Sequence, residues 1–296
     1  MADLGYDLST IRQCPSEIAI TGPFRILSDE GVAELRRITE QLKSVRSQGP
    51  NNRVPSYLAG GIYRSRFLSD LCACPAIADH LSKISGTRLV PHTLPSQRVY
   101  VNYAPQDITK AVDNWHFDGI GFDYVLMLSD PQDLYGGEFE FFQGTRDEIS
   151  RRFDLPIPLI RKGISDDLPR ERVISMRFPA AGYALFQQGN LVIHRATRLR
   201  KPAERTTVIP GYVSTQCEYP DPTAVHDIVG YREPGINIEL ARHSAWLTSH
   251  RLQNLIDNLQ GDEDPASVVT ALRDAISSVM HTAELIEEFH NNKRSG

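Results

Sequence analysis

The strongest constraint on the fold is a succession of short apolar and β-branched runs, separated by glycine and proline, between residues 98 and 213. Arg98-Val99-Tyr100-Val101-Asn102-Tyr103 is rich in β-branched and aromatic residues, stops short of Pro105, and reads as a strand. Phe122 to Leu128, Gly137 to Phe142, Arg172 to Phe178, Tyr183 to Phe186, Leu191 to His194 and Thr206 to Val213 read the same way. Many short strands with turn residues between them predict an all-β sandwich or barrel. Residues 144–171 are polar and proline-rich and predict an insertion, either a loop or a short helix.

Helices are expected on either side. Ser28 is a suitable N-cap for a helix over 28–47, where Val32, Leu35, Ile38 and Leu42 recur at helical spacing. The turn-rich stretch SQGPNNRVPSYLAGGIYRSRF has no clear period and predicts a long loop, and loops of that length are often functional. A second helix is predicted from Pro75 to Ser85. After Glu218 strand signals fade; a helix is expected from Ser244, broken at Gly261–Pro265, then a final one from Ala266 to His290. The expected organisation is one catalytic domain over 1–296. Its β core covers about 97–215, an N-terminal helical and loop region 1–96, and a C-terminal helical extension about 244–290.

Composition narrows the function classes. A formal net charge of -5 and a pI of about 6.0 argue against a nucleic-acid partner. No apolar window is long enough to span a bilayer, and the acidic N-terminus is unlike a secretory signal, so a cytoplasmic chain is expected. Cys14, Cys72, Cys74 and Cys217 match neither a zinc module nor a disulfide framework.

The chemistry is concentrated in Trp115-His116-Phe117-Asp118 and, far downstream, Val192-Ile193-His194. Residues i and i+2 of a strand share a face, so His116 and Asp118 can both aim inward from a strand end. Two imidazoles and one carboxylate are the ligands of a facial triad on non-haem iron, which leaves coordination positions open. A buried strand has little reason to carry the unpaired imidazole of His194 unless it has a partner.

Arg205 opens a strand soon after His194, with Thr207 two residues on and on the same face. The planar guanidinium pairs bidentately with a carboxylate, as the far end of a chelating keto acid requires, and Thr207 can add a hydroxyl. A surface salt bridge, for example with Glu204, is the alternative for Arg205. Arg198 and Arg200 compete for the anchoring role, and Arg195 is expected to point to the opposite side of the strand.

The combined pattern WHFD…GGEFEFF…GYALFQQGNLVIHRATRLRKPAERTTV resembles the iron(II)/2-oxoglutarate-dependent dioxygenase superfamily over roughly residues 97–215. That resemblance implies a mainly β fold with flanking helices around a double-stranded β-helix, a jelly-roll core. It implies iron(II) on His116, Asp118 and His194, 2-oxoglutarate anchored by Arg205 with help from Thr207, and O2 as oxidant. It implies oxidation of an unactivated C–H bond of a small molecule, such as an amino acid or a secondary metabolite. In related halogenases a small residue replaces the carboxylate and frees a site for chloride; Asp118 favours hydroxylation, with desaturation, ring closure and epimerisation left open.

Other site candidates follow from position. Tyr100 and Asn102 share a strand face and can touch 2-oxoglutarate or substrate, and Arg98 on that face can meet an acidic group. Tyr63, Arg64 and Arg66, in the long early loop, can form a lid or bind a substrate carboxylate. Trp115 either packs behind the metal or is a core aromatic. The competing functions are a peptide or prolyl-type hydroxylase, a cupin-type metalloenzyme, and a non-catalytic metal-binding β-sandwich. The apolar stripes of the C-terminal helices either pack on the core or form a homodimer interface.

Overall fold

The computed structural model describes residues 1–48, 53–229, 235–259, 261 and 263–294. Its strands are β1 (Phe24–Arg25), β2 (Ser47–Gln48), β3 (Ser56–Leu58), β4 (Leu89–Pro91), β5 (Val99–Tyr103), β6 (Ala111–His116), β7 (Phe122–Met127), β8 (Phe139–Phe142), β9 (Val173–Met176), β10 (Tyr183–Gln187), β11 (His194–Arg198) and β12 (Thr206–Ser214). Its α-helices are α1 (Leu8–Ile11), α2 (Asp29–Leu42), α3 (Arg66–Cys72), α4 (Pro75–Ser85), α5 (Arg146–Phe153), α6 (Ile157–Ile160), α7 (Val225–Val229), α8 (Ile236–Asn258) and α9 (Pro265–Arg294).

The pairings are antiparallel and form two sheets. The larger runs β1-β10-β7-β12-β5-β3-β2 with β4 added beside β12; the smaller runs β6-β11-β8-β9. From β5 to β8 successive strands fall alternately in the large and the small sheet, and β10 to β12 alternate again. That crossing between two facing sheets is the double-stranded β-helix.

Period-two alternation distributes the side chains. Val99, Val101 and Tyr103 of β5, Phe122, Tyr124 and Leu126 of β7, and Val208 and Tyr212 of β12 form one cluster with α2, α3 and α4. There Leu35, Leu68 and Leu81 are fully buried, each contributing about 1.5–3 kcal/mol of transfer free energy. The opposite residues, Val125 and Met127 of β7 and Leu185 of β10, pack against Phe139 and Phe141 of the small sheet. Every residue of β7 is therefore buried, because helices cover one face and the small sheet the other. Outside the small sheet, Trp115, Phe117 and Phe142 pack with Ile149 and Ile160 from α5 and α6.

Several sequence expectations are corrected. The run Leu191–Ile193 is not strand; strand β11 begins at His194 and continues to Arg198. The Leu191, Val192 and Ile193 side chains instead fill the two clusters flanking the small sheet, which explains their apolar character. The stretch expected as a long loop carries β2, β3, a 3-10 turn at Gly61–Tyr63 and the start of α3, with residues 49–52 outside the described residues. Strands β3 and β6 have too few apolar positions to announce themselves, and pairing with β5 and β11 makes them. The first C-terminal helix starts at Ile236 rather than Ser244, and α2 ends at Leu42, followed by a 3-10 turn. Helix α4 matches its predicted span, with Pro75 in its first turn and Gly86 closing it at φ +72°. No helix among the described residues is long and apolar enough to cross a membrane.

Candidate metal centre and its cavity

Strands β6 and β11 pair so that His116 and His194 are direct partners, with a register shift just after His194. The two rings meet edge-to-face with centroids 4.2 Å apart. Asp118 lies two residues past the end of β6, where its backbone N–H donates to the Gly189 carbonyl at 2.8 Å. That bond turns its carboxylate toward both rings: Oδ1 is 3.4 Å from His116 Nε2 and Oδ2 is 3.4 Å from His194 Nε2. One ligand atom from each residue lies within 4.8 Å of the others.

The outer ring nitrogens define what faces inward. His116 Nδ1 lies 2.7 Å from the Asn114 carbonyl and His194 Nδ1 2.9 Å from the Val192 carbonyl. A carbonyl only accepts, so both Nδ1 atoms carry the proton and both Nε2 atoms present lone pairs. Burial pushes the His116 pKa down to about 3, with the Arg53 and His194 charges acting in the same sense, and burial lowers that of His194. Both rings are neutral at neutral pH. Burial opposes ionisation of Asp118, and the Arg53 guanidinium, whose Nη2 is 2.6 Å from Oδ1, is the cation that holds the carboxylate ionised while the rings are neutral. Three acceptors thus converge where a divalent cation fits, and each imidazole is oriented by an outer hydrogen bond as metal ligands usually are.

A cavity of about 1030 Å³ opens between the sheets, and all three residues line it. Tyr100 and Asn102 of β5, Thr207 of β12 and Arg205, one residue before β12, line it too. Arg205 is buried, its Nε donating to the Gly137 carbonyl at 2.7 Å. Burial pulls its pKa down to about 10, against the attraction of Asp113 and Glu138, so it remains a cation. Gly137 has φ +74°, and a Cβ there would stand 2.7 Å from Arg205 Cδ, so the position suits only glycine. Arg198 and Arg200 are exposed, Arg200 lying over the Tyr135 ring. The Arg195 guanidinium bonds Glu140 and Asp167 above the Trp115 ring.

The remaining candidates lie elsewhere. Trp115 is fully buried in the outer aromatic cluster, behind the small sheet and outside the cavity lining. Arg98 falls just before β5, and its Nε donates to the His92 carbonyl at 2.8 Å. Tyr63 is exposed and bonded to Glu239, Arg64 is exposed, and Arg66 pairs loosely with Asp70; none of the three lines the cavity.

The structure adds residues that motif reading missed. Gln187 Nε2 lies 3.0 Å from Asp123 Oδ1 and 3.3 Å from both Asp118 Oδ2 and His194 Nε2. Burial and the neighbouring Asp118 charge raise the Asp123 pKa well above the usual carboxylate range. Burial pushes Asp113 up to about 8 despite nearby Arg53. An aspartate inside the apolar run Phe122–Met127 was the available signal for Asp123. Nothing in its local sequence marks Arg53, which reaches the site from the early loop.

Comparison with family models finds Halogenase D matching residues 62–226, more than half of the chain. No curated protein matches. Among solved structures, the non-heme alpha ketoglutarate dependent epimerase SnoN is 15% identical over 72% of this chain and 83% of its own, with a TM-score of 0.47. HygX from Streptomyces hygroscopicus, solved with nickel and 2-oxoglutarate, is 14% identical over 71% of this chain and 86% of its own, TM-score 0.44. A Pseudomonas putida prolyl-4-hydroxylase is 12% identical over 72% of this chain and 97% of its own, TM-score 0.42. The family span takes in His116, Asp118, His194 and Arg205, and the chain belongs to the Halogenase D family.

Proposed function

We propose that this chain is an iron(II)- and 2-oxoglutarate-dependent oxygenase that hydroxylates an unactivated C–H bond of a small molecule, an amino acid or a secondary metabolite. The observation that carries the reading is the convergence of two Nε2 lone pairs and the Asp118 carboxylate, with no donor hydrogen of their own between them. Bound iron would supply oxygen activation coupled to decarboxylation of 2-oxoglutarate. The protein's own part is to bind, orient and exclude water. Arg205 and Thr207 grip the distal carboxylate of 2-oxoglutarate, and Tyr100 and Asn102 bound the space beside it. Arg53 holds Asp118 through Oδ1 and keeps its carboxylate from turning away.

The family name raises halogenation as the competing outcome. Asp118 argues against it here, because a carboxylate stands where a halogenase of this kind needs room for chloride. Supplying purified protein with iron(II), 2-oxoglutarate, oxygen, chloride and a panel of amino acids tests both. The expected product carries one added oxygen and no chlorine, with succinate released in step. A chlorinated product overturns the hydroxylase assignment; absence of succinate with every substrate and without substrate overturns the oxygenase assignment.

A further inference from the structure

A second cavity, of about 770 Å³, lies among the N-terminal segment, the end of β12 and helices α7 to α9. It shares a wall with the metal cavity: Arg161, Ala224, His226 and Asp227 line both. Within that wall Arg161 Nε donates to Asp227 Oδ2 at 2.6 Å.

The charges of the second cavity do not balance. Its carboxylates are taken: Asp227 by Arg161, and Asp221 by His243 Nε2 at 2.9 Å and the Thr223 hydroxyl at 2.8 Å. Arg251 donates to the Cys217 carbonyl at 2.9 Å and to Ser278. Arg146 is different. Its backbone N–H donates to the Tyr6 phenol oxygen, but its guanidinium makes no ion pair and no hydrogen bond among the described residues. Burial lowers its pKa; Tyr6 opposes that, Arg161 adds to it and Asp147 again opposes it. A partly desolvated guanidinium without a partner of its own is costly unless an anion joins it.

We infer that the second cavity is a subsite for an anionic group, a carboxylate or a phosphate, at the far end of the substrate, gripped by Arg146 beside Arg161 while the reacting end lies at the metal ligands. Placing the reacting end there rests on the oxygenase reading; the anion subsite itself does not. A substrate spanning both cavities is longer than a free small amino acid, and the shared wall at Arg161 is where it would cross.

Titration of inorganic phosphate into wild-type protein, Arg146→Gln and Arg146→Lys tests the subsite calorimetrically. Phosphate is expected to bind the wild type, to bind Arg146→Gln about tenfold or more weakly, as loss of one charge-assisted bond predicts, and to be largely kept by Arg146→Lys. Equal binding to wild type and Arg146→Gln, or none to the wild type, overturns it. Linear monocarboxylates of increasing length, added to protein loaded with iron(II) and 2-oxoglutarate, then separate a substrate tail from a free anion. Beyond a threshold length they should shift the visible absorption of the iron–2-oxoglutarate complex, and Arg146→Gln should abolish that dependence. Carboxylates that bind at every length without moving the absorption overturn the substrate role. Failure of that absorption to form at all counts against the oxygenase reading alone, since phosphate titration needs no metal.

Discussion

Gly189 has no room for a side chain, and the reason lies at the candidate metal site. A Cβ built there would stand 2.2 Å from Asp118 Oδ2, 2.6 Å from Asp123 Oδ2 and 2.9 Å from Asp118 Cβ. Real Cβ contacts start near ordinary van der Waals separation, so Gly189→Ala must push Asp118 or the 188–190 turn. Neither moves freely. Asp118 is tied to the same residue by its N–H bond to the Gly189 carbonyl, and the turn is anchored by Gln188 Nε2 donating to the Ser16 and Ile18 carbonyls. Overpacking of this kind costs about 1–3 kcal/mol of stability. Displacing a ligand's support typically costs about 10–100-fold in metal affinity. Two measurements check this: denaturant unfolding of the apo-protein and equilibrium binding of iron(II) under anaerobic conditions. Gly22→Ala serves as control, because nothing lies within 4 Å of its Cβ position. A Gly189→Ala protein that binds iron(II) as tightly as the wild type would refute the claim that the 118–189 contact sets the position of the carboxylate.

Four further outcomes are expected. Arg205→Gln should weaken 2-oxoglutarate binding by on the order of 100-fold, the cost of about 3 kcal/mol for a buried charge-assisted pair, while leaving iron(II) affinity nearly intact; unchanged 2-oxoglutarate affinity would remove Arg205 from the site. His116→Ala and His194→Ala should each lose more metal affinity than any outer-residue change and abolish turnover, with the circular dichroism of the fold retained; near-normal activity in either would show the ligand set to be misassigned. Asp118→Gly should end hydroxylation, read as loss of the oxygenated product. His92, buried against Thr223 and with Nδ1 accepting from the Leu94 N–H, is pushed down to about 3 by burial. The unfolded chain therefore binds a proton at His92 below about 6.5, where the folded chain does not. Stability should fall as pH drops from there towards 3, by up to a few kcal/mol, and His92→Gln should flatten that slope in urea titrations; an unchanged slope would assign the loss to other groups.

Legibility differed from element to element. Helix α4 and strands β5, β7, β10 and β12 could be read because each carries its own period and its own stop signal; α2 was read from its period, and its end at Leu42 was not. Strand β6 could not, since Ala111–His116 has no clean alternation and becomes a strand through pairing with β11. The His-x-Asp and the distal histidine stood out as residue types, and Arg205 and Thr207 by their place at the head of a strand.

What the chain alone determined is thus the inventory: a strand-rich middle, helical flanks, and a small set of metal-competent and anion-competent side chains. Only the tertiary structure decided which of them meet. His194 faces His116 because β11 enters beside β6 with a shift in register, and Arg53 from the early loop and Gln187 and Gly189 from the end of β10 close around Asp118. Periodicity is a local property, carried by neighbours a few residues apart. Ligand convergence is set by inter-sheet packing and by buried charges finding partners, and those depend on the whole fold at once.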